Sequence, residues 1–147
     1  MSSAALKSPP TTTARLVVDT DVASFVFKWH PDFAPRYVGI IRGSELVVSF
    51  MTLAEMRQGA MDANWGPHKF DLLEAYLADF AVLHSDDMLC SIWAAVRNES
   101  VRKGRQISSA DAWIAATALI LSVPFVTNNP KDYRHLENVQ LVSVAAE

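Results

Sequence analysis

The sequence predicts an α/β domain in which helices cover both faces of a mostly parallel sheet of four or five strands. The chain of 147 residues has the size of one ordinary domain. Half of its residues are hydrophobic and a fifth are charged, a composition typical of folded proteins. Short β-branched runs alternate with segments that have the apolar spacing of amphipathic helices. This alternation indicates parallel strands joined by crossover helices.

The first half of the chain contains two strand–helix units. Residues 1–14 are rich in Ser, Thr and Pro and are predicted to form a disordered tail, which leaves residues 15–147 as a single domain. The run "RLVV" at residues 15–18 is the first strand and leads into the helical segment "DVASFVFKW". A helix is predicted over residues 34–41. The second strand, "ELVVS" at residues 45–49, precedes the amphipathic segment "TLAEMRQGAM".

The second half of the chain continues the alternation of strands and helices. A Gly-Pro break separates the amphipathic segment from the helical run "HKFDLLEAYLADF", and "FAVLH" is the third strand. The segment "DDMLCSIWAAVRNESVRK" is predicted to be helical up to Gly104, and Cys90 within it is expected to be a small buried side chain. Another helix follows Ser108. "PFVTN" is predicted as the fourth strand and "VQLVSV" as the fifth.

Hydropathy and charge argue against two classes of protein, membrane-spanning or secreted chains and generic nucleic-acid coats. No stretch reaches the roughly 18 apolar residues of a membrane helix, and the N-terminal segment has no apolar run suited to a signal peptide, so we expect a cytoplasmic protein. The net charge of −3 argues against a generic nucleic-acid coat, which would be basic. An acidic cluster that binds divalent cations would itself contribute to that negative charge.

Acidic side chains follow several of the predicted strands. Asp19 comes directly after the first strand, Glu55 lies in the helix after the second, and Asn129 and Asp132 follow the fourth. The carboxyl ends of parallel strands share one edge of the sheet, and ligands bind there in such folds. Asp111, in an otherwise apolar helix, reaches this edge if its helix crosses back over the sheet before the fourth strand.

Each of these acids also has a structural explanation. Thr52-x-x-Glu55 and Ser108-x-x-Asp111 match the capping box of a helix start. The acids after the first and fourth strands could cap a helix or stabilise a turn. Together, however, three or four carboxylates at one edge repel one another, and a divalent cation removes that conflict. Oxygen ligands without a His or Cys cluster favour Mg²⁺ or Mn²⁺ over zinc.

Four segments carry a resemblance to a known family: "LVVDTDVAS", "TLAEMRQGA", "GRQISSADAWIAATAL" and "PFVTNNPKDY", in this order. They resemble the PIN-domain ribonucleases, and most nearly the VapC-type toxins of type II toxin–antitoxin pairs. The resemblance covers almost everything from Arg15 to Val144. It implies a three-layer PIN-like fold with the sheet at its centre.

The resemblance further implies a Mg²⁺- or Mn²⁺-dependent endoribonuclease that hydrolyses RNA phosphodiesters with metal-activated water and leaves 5′ phosphates. Asp19, Glu55 and Asp111 are then the core acids and the metal ligands. The chain departs from the family at the fourth acidic position, where Asn129 stands in place of a frequent Asp, and Asp132 matches a second acidic position just beyond it. The implied partners are RNA, a small antitoxin protein and a second copy of the chain in a homodimer.

Further polar residues are candidates for supporting roles. Asp21 stands where the family usually has Asn, and it could join the acidic pocket or face away as a charge favoured at a helix N-terminus. Thr20 and Thr127 could position water or phosphate through their hydroxyls, or they could simply be good strand formers. Arg57 and Arg105 are candidates for binding the RNA backbone.

Two alternative functions stay open at this point. The Asp19-x-Asp21 pair after an apolar strand also resembles the nucleophile motif of haloacid-dehalogenase-type phosphatases, with Asp19 as nucleophile, Ser49 as the strand-end serine and residues 86–87 as the later acidic pair. That family gives no reason for the helix after residue 108. The other alternative is a non-catalytic α/β scaffold that binds RNA or protein and uses its acids only as caps.

Overall fold

A computed structural model describes residues 14–145 and contains a single five-stranded sheet in this region. The strands are β1 (Arg15–Val18), β2 (Glu45–Ser49), β3 (Ala81–Leu83), β4 (Phe125–Val126) and β5 (Leu141–Val142). Their order is β3-β2-β1-β4-β5, and every neighbouring pair is parallel. The predicted parallel sheet of four or five strands is confirmed.

Helices connect these strands. They are α1 (Thr20–Lys28), α2 (Ala34–Ile41), α3 (Phe50–Asp62), α4 (Pro67–Leu77), α5 (Asp87–Arg102) and α6 (Ser109–Leu121), with a short 3₁₀ helix at Pro130–Asp132. Within residues 14–145, no helix combines the length and the apolar character that crossing a membrane requires. The tail predicted over residues 1–14 lies outside the described residues except for Ala14, whose carbonyl accepts a hydrogen bond from the Glu45 amide at 2.7 Å.

Successive residues of the central strand β1 enter two different cores. Leu16 and Val18 pack with helices α1 to α4 on one face of the sheet, whereas Val17 packs with α5 and α6 on the other face. This alternation follows from the two-residue period of a strand, and a parallel sheet covered on both faces needs apolar residues at every position. The result is the three-layer arrangement that the resemblance implied.

Helix starts place polar residues at the carboxyl edge of the sheet. Asp19 caps α1, and Ser108 caps α6 by accepting a hydrogen bond from the Asp111 amide at 3.0 Å. The cap predicted at residue 52 is wrong, because α3 begins at Phe50 and the Ser49 hydroxyl accepts a hydrogen bond from the backbone at Met51. The early start leaves Glu55 in the second turn of α3.

The prediction that Cys90 is buried is also wrong, since its side chain is exposed. Helix α5 buries Leu89, Val96 and Ser100, which lie on one stripe of the helix. Cys90 follows Leu89 by one residue and is therefore rotated about 100° away from that stripe. An apolar run marks the helix but does not by itself decide which side chain faces the core.

Candidate active site

A cleft of about 240 Å³ opens at the carboxyl edge of the sheet. The residues that line it are Asp19, Thr20, Asp21, Glu55, Asp111, Asn129, Asp132 and Tyr133. The structure thus brings together seven of the ten site residues that were predicted from the sequence, and it adds Tyr133. Thr127 lies directly behind the cleft, while Arg57 and Arg105 lie outside it.

Asp19 is held in place by two residues that follow the adjacent strands β1 and β4. It is only 6% exposed, and its carboxylate accepts hydrogen bonds from the Thr20 amide and from the Thr127 hydroxyl, each at 2.8 Å. Val18 pairs with Val126 in the sheet, so the next residues, Asp19 and Thr127, meet where the two strands end. The Thr127 hydroxyl also accepts a hydrogen bond from the Asn129 amide at 3.0 Å, which ties the loop after β4 to the same site.

Glu55 reaches the cleft through a contact between α1 and α3. The Thr20 hydroxyl donates to Oε1 of Glu55 at 2.7 Å. It also lies 3.0 Å from the hydroxyl of Thr52, which is completely buried in the first turn of α3. A threonine at the strand end therefore orients a carboxylate 35 residues further along the chain.

Asp21 lines the cleft, so the first of its two predicted roles agrees with its position. Its carboxylate accepts hydrogen bonds from the Val22 amide at 2.7 Å and from the Asn128 amide at 3.1 Å. The second of these bonds joins α1 to the loop after β4. Nearby, the side-chain amide of Asn129 donates to the Asp132 carboxylate.

Tyr133 is the functional candidate that sequence reasoning missed. It is 1% exposed, its ring packs edge-on against Phe125 with centroids 4.8 Å apart, and its hydroxyl interacts with the carboxylates of Asp19 and Asp111. The sequence feature that could have identified Tyr133 is its place at the end of "PFVTNNPKDY", directly after the turn that begins at Pro130. Burial and the two carboxylates raise the pKa of Tyr133 far above its ordinary value, so the phenol keeps its proton near neutral pH.

Three acids of the cleft, Asp19, Asp21 and Asp111, have raised pKa values. Burial, followed by repulsion from Asp21, raises the pKa of Asp19 to about 8. Burial is also the main cause that raises the pKa of Asp21 to about 6 and that shifts the pKa of Asp111 upward. Deprotonated carboxylates in this cleft are thus destabilised unless a positive charge joins them.

The donor atoms of the cleft suit a hard divalent cation. Carboxylate, amide and hydroxyl oxygens are the groups that Mg²⁺ and Mn²⁺ prefer. Among residues 14–145, no three Asp, Glu, His or Cys side chains form a closed set of ligands around one point. Mg²⁺ commonly binds one or two carboxylates and keeps several waters or phosphate oxygens. The residues therefore fit an ion that completes its shell with water or substrate.

Other predicted residues lie elsewhere. Arg57 forms a bidentate ion pair with Glu74, at 2.8 and 3.0 Å, and does not line the cleft. Arg105 lines a neighbouring groove that shares Asp132 with the cleft. Asp86, proposed under the phosphatase alternative as part of the later acidic pair, instead caps α5 by accepting a hydrogen bond from the Leu89 amide at 2.8 Å.

Comparisons with known proteins agree with this geometry. A family model described as the PIN domain matches residues 16–138. Ribonuclease VapC1 of Haemophilus influenzae (strain R2866) is 27% identical over 125 residues, which cover 84% of this chain and 93% of that protein. The tRNA(fMet)-specific endonuclease VapC of Shigella flexneri is 24% identical over 122 residues, covering 83% and 92%.

A solved structure of VapBC-5, a member of the VapBC family of toxin–antitoxin systems from Mycobacterium tuberculosis, is similar with a TM-score of 0.67 at 26% identity. The match covers 89% of this chain and 99% of the other. The family model spans most of the sequence and includes β2 to β4, helices α1 to α6 and the acidic cleft, while β1 begins one residue before the matched range and β5 lies beyond it. This chain belongs to the PIN-domain family.

Proposed function

We propose that this chain is a Mg²⁺- or Mn²⁺-dependent endoribonuclease that acts as the toxin of a type II toxin–antitoxin pair. The observation that carries the proposal is the convergence of Asp19, Glu55 and Asp111 in one cleft, although they come from the end of β1, from α3 and from α6. Two relatives whose names describe them as a ribonuclease and as a tRNA-specific endonuclease support RNA as the substrate class.

Asp19, Glu55 and Asp111 would hold the divalent cation, one or two of them directly and the rest through water in its shell. A bound Mg²⁺ or Mn²⁺ would supply a more acidic water and would neutralise charge on the scissile phosphate. Asn129 offers an amide oxygen but no charge, and its amide nitrogen orients Asp132 instead. We therefore expect the side of the cleft that follows β4 to bind a cation more weakly than the side formed by Asp19 and Asp111.

The protein prepares this site before substrate arrives. Thr127 fixes the Asp19 carboxylate, Thr20 fixes Glu55, and the Ser108 cap fixes the backbone of Asp111. Groups held in this way need little rearrangement when charge develops during phosphodiester cleavage, which is how preorganised sites lower an activation barrier. Tyr133 serves as a hydrogen-bond donor to the acids and not as a base, because its phenol stays protonated.

The same proposal includes partners. We expect a short antitoxin chain to bind this protein and block the cleft, and we expect the protein to form a homodimer in the cytoplasm. The similarity to a structure of the VapBC toxin–antitoxin family supports the antitoxin partner.

Two observations favour the nuclease over the alternatives. The phosphatase alternative gave no role to the helix after residue 108, yet Asp111 of that helix lines the cleft beside Asp19. The scaffold alternative treated the acids as caps, but the Ser108 hydroxyl is the cap of α6 and leaves the Asp111 carboxylate facing the cleft. Asp19 combines both roles, since it caps α1 and lines the site.

The decisive experiment is cleavage of total cellular RNA by the purified, partner-free protein, with Mg²⁺ or Mn²⁺ and with EDTA, followed by mapping of the new 5′ ends. We expect metal-dependent cuts that carry 5′ phosphates. Asp111→Asn should lower the cleavage rate by about a hundredfold or more, because loss of one charge-stabilising group costs on that order. Its fold should persist, since the Ser108 cap acts on a backbone amide.

Asp87→Asn is the matched control, because Asp87 is an exposed acid in the first turn of α5 and does not line the cleft. Cleavage that survives EDTA, or that is equal in the folded Asp111→Asn protein and the parent, would contradict the proposal. A phosphorylated aspartate trapped at Asp19 would support the phosphatase instead.

A further inference from the structure

We infer that a basic groove beside the acidic cleft is the track that holds the flanking single strand of RNA, an inference that rests on the proposed function. The groove has a volume of about 300 Å³ and lies between the α5–α6 connection and the segment after β4. Its lining residues are Arg105, Gln106, Lys131, Asp132, Arg134 and His135. We call this surface the basic groove.

The basic groove continues the cleft in one direction. Asp132 lines both, so the groove begins where the cleft ends. On the far side, Arg105 and Gln106 also line a second depression of about 430 Å³, which extends to Arg97 and to the Ser108 cap of α6. The three concave regions form one path that leads from the acids over the α5–α6 connection.

The path is lined by positively charged side chains, whereas the cleft is lined by acids. The cations Arg105 and Lys131 line the basic groove, and Asp132 is the one acid among the lining residues. Of the ion pairs seen within residues 14–145, those of Arg57 and Lys103 are with Glu side chains that do not line the basic groove, and none involves Arg105 or Lys131. Phosphate groups would supply countercharges for Arg105 and Lys131.

One cation along the path, Arg97, is fixed by contacts, and a second, Arg105, lies near His135. The Arg97 guanidinium donates to the Ile107 carbonyl and lies over the Trp93 ring, 5.5 Å from its centroid. Arg105 lies close enough to His135 for its charge, after burial, to lower the pKa of that ring. His135 interacts with the Ser100 hydroxyl at 2.7 Å and so packs the wall of the groove.

A nuclease with this cleft needs such a track. Five carboxylates line the cleft and repel an RNA backbone, while a divalent cation there would offset the charge around the scissile phosphate alone. Most of the binding free energy must therefore come from cations outside the cleft, and a path of Arg and Lys that begins at Asp132 supplies them. Contacts to phosphates hold a strand without selecting its bases, so this track would bind flanks of any sequence.

The test measures binding of a fluorescently labelled single-stranded RNA of mixed sequence to the Asp111→Asn protein in EDTA, so that the probe is not consumed. Adding Arg105→Glu with Lys131→Glu should weaken binding about tenfold or more. The dependence of log K on log salt should become shallower by about 1.4, because each phosphate contact to a single strand contributes about 0.7.

The matched control is Arg42→Glu with Lys69→Glu, which makes the same change in net charge. Arg42 follows α2, just before β2 begins and thus at the opposite edge of the sheet, and Lys69 lies on α4, where it contacts Trp65. We expect the control to bind the RNA with the affinity and salt dependence of the Asp111→Asn protein. In the cleavage-competent chain, the groove variant should raise KM and leave kcat nearly unchanged.

The outcomes separate this inference from the proposed function. If the groove variant binds and cleaves RNA like the parent, the track is wrong while the nuclease stands. If the parent cleaves no RNA but binds the strand through the groove, the proposed function is wrong while the track stands. Equal loss of binding in the control pair, or stronger binding of a duplex of the same sequence, would overturn the track as a single-strand site.

Discussion

At the scale of single residues, uncharged hydrogen-bond donors stabilise the negative charge of the cleft. Tyr133 is one of them, because its hydroxyl interacts with Asp19 and Asp111, two acids that come from different layers of the fold. Burial raises the pKa of Asp111, and the bond from Tyr133 opposes that rise. The hydroxyl therefore helps Asp111 to be charged, which is the form that binds a cation.

Tyr133→Phe should weaken metal use with little loss of stability. The ring would still pack against Phe125 and preserve the core. Without the hydroxyl, the pKa of Asp111 should rise further, so the metal concentration that gives half-maximal cleavage should increase by about tenfold, the value of one hydrogen bond to a charged group. The acid limb of the pH–rate profile should move to higher pH.

Tyr76→Phe is the control for this change, because the Tyr76 hydroxyl is also partly buried but donates to the Ala23 carbonyl, at 2.9 Å, and does not line the cleft. It should leave the metal dependence unaltered. If both variants shift the metal requirement equally, the Tyr133 hydroxyl does not tune the acids.

Residue identity and position could be predicted for the acids, but their hydrogen bonds could not. Asp19 was placed at the cleft because it directly follows a strand, and strand ends are visible in the sequence. The role of Thr20 could not be foreseen, since it depends on Glu55 and Thr52 of another helix. Cys90 shows the same limit, because its exposure depends on the face that α5 turns toward α6 and not on its apolar neighbours.

At the scale of elements, helix starts decide where the acids lie. The bounds of α2 and β2 coincide with the predicted residues 34–41 and 45–49. The start of α3 differs because Ser49 and Thr52 are both good cap residues, and burial of Thr52 against Thr20 selects Ser49 as the cap. Local sequence offered two possible starts, and a contact between helices selected one of them.

The cap of α6 links helix stability to catalysis. Ser108→Ala removes the acceptor of the Asp111 amide and should lower the free energy of unfolding by about 1 kcal/mol. It should also slow RNA cleavage, because the first turn of α6 positions the Asp111 carboxylate. Unfolding in urea and cleavage rates measured on the same samples test both effects.

Two further variants make this test specific to the cap. Ser108→Asp should restore stability, since Asp is an equally good cap residue. Ser109→Ala alters the neighbouring exposed serine, for which the structure shows no side-chain hydrogen bond within the described residues, and should change neither quantity. If Ser108→Ala lost stability but kept full activity, other contacts would have to position Asp111.

At the scale of the whole molecule, topology assembles the site. Alternating strands and helices in the sequence were enough to predict a parallel sheet and its carboxyl edge. The strand order β3-β2-β1-β4-β5 was not predicted, because the choice of neighbours depends on packing between distant segments. That order makes β1 and β4 neighbours, so that Asp19 and Thr127 meet, and it sets α6 across the sheet with its first turn at the cleft.

The stability of the metal-free protein should fall as the pH rises, in contrast to the usual behaviour of buried acids that are paired. The ordinary pKa of Asp19 is 3.8, and in the folded protein burial and Asp21 raise it to about 8. Between these values the folded carboxyl keeps a proton that the unfolded one has lost, so the folded state binds more protons. Each pH unit in this interval should then cost on the order of 1 kcal/mol for one carboxyl.

Mg²⁺ should reverse much of this loss, because the cation replaces the proton as the partner of the acids. The gain in melting temperature on adding Mg²⁺ should therefore be larger at about pH 8 than at about pH 5, where protons compete for the same oxygens. Melting curves in EDTA and in Mg²⁺ at the two pH values provide the measurement. Asp19→Asn should flatten the pH dependence and reduce the Mg²⁺ effect, whereas Asp71→Asn, at an exposed position on α4, should do neither. A Mg²⁺ effect of the same size at both pH values, or one that persists fully in Asp19→Asn, would show that the cation stabilises the fold from somewhere other than this cleft.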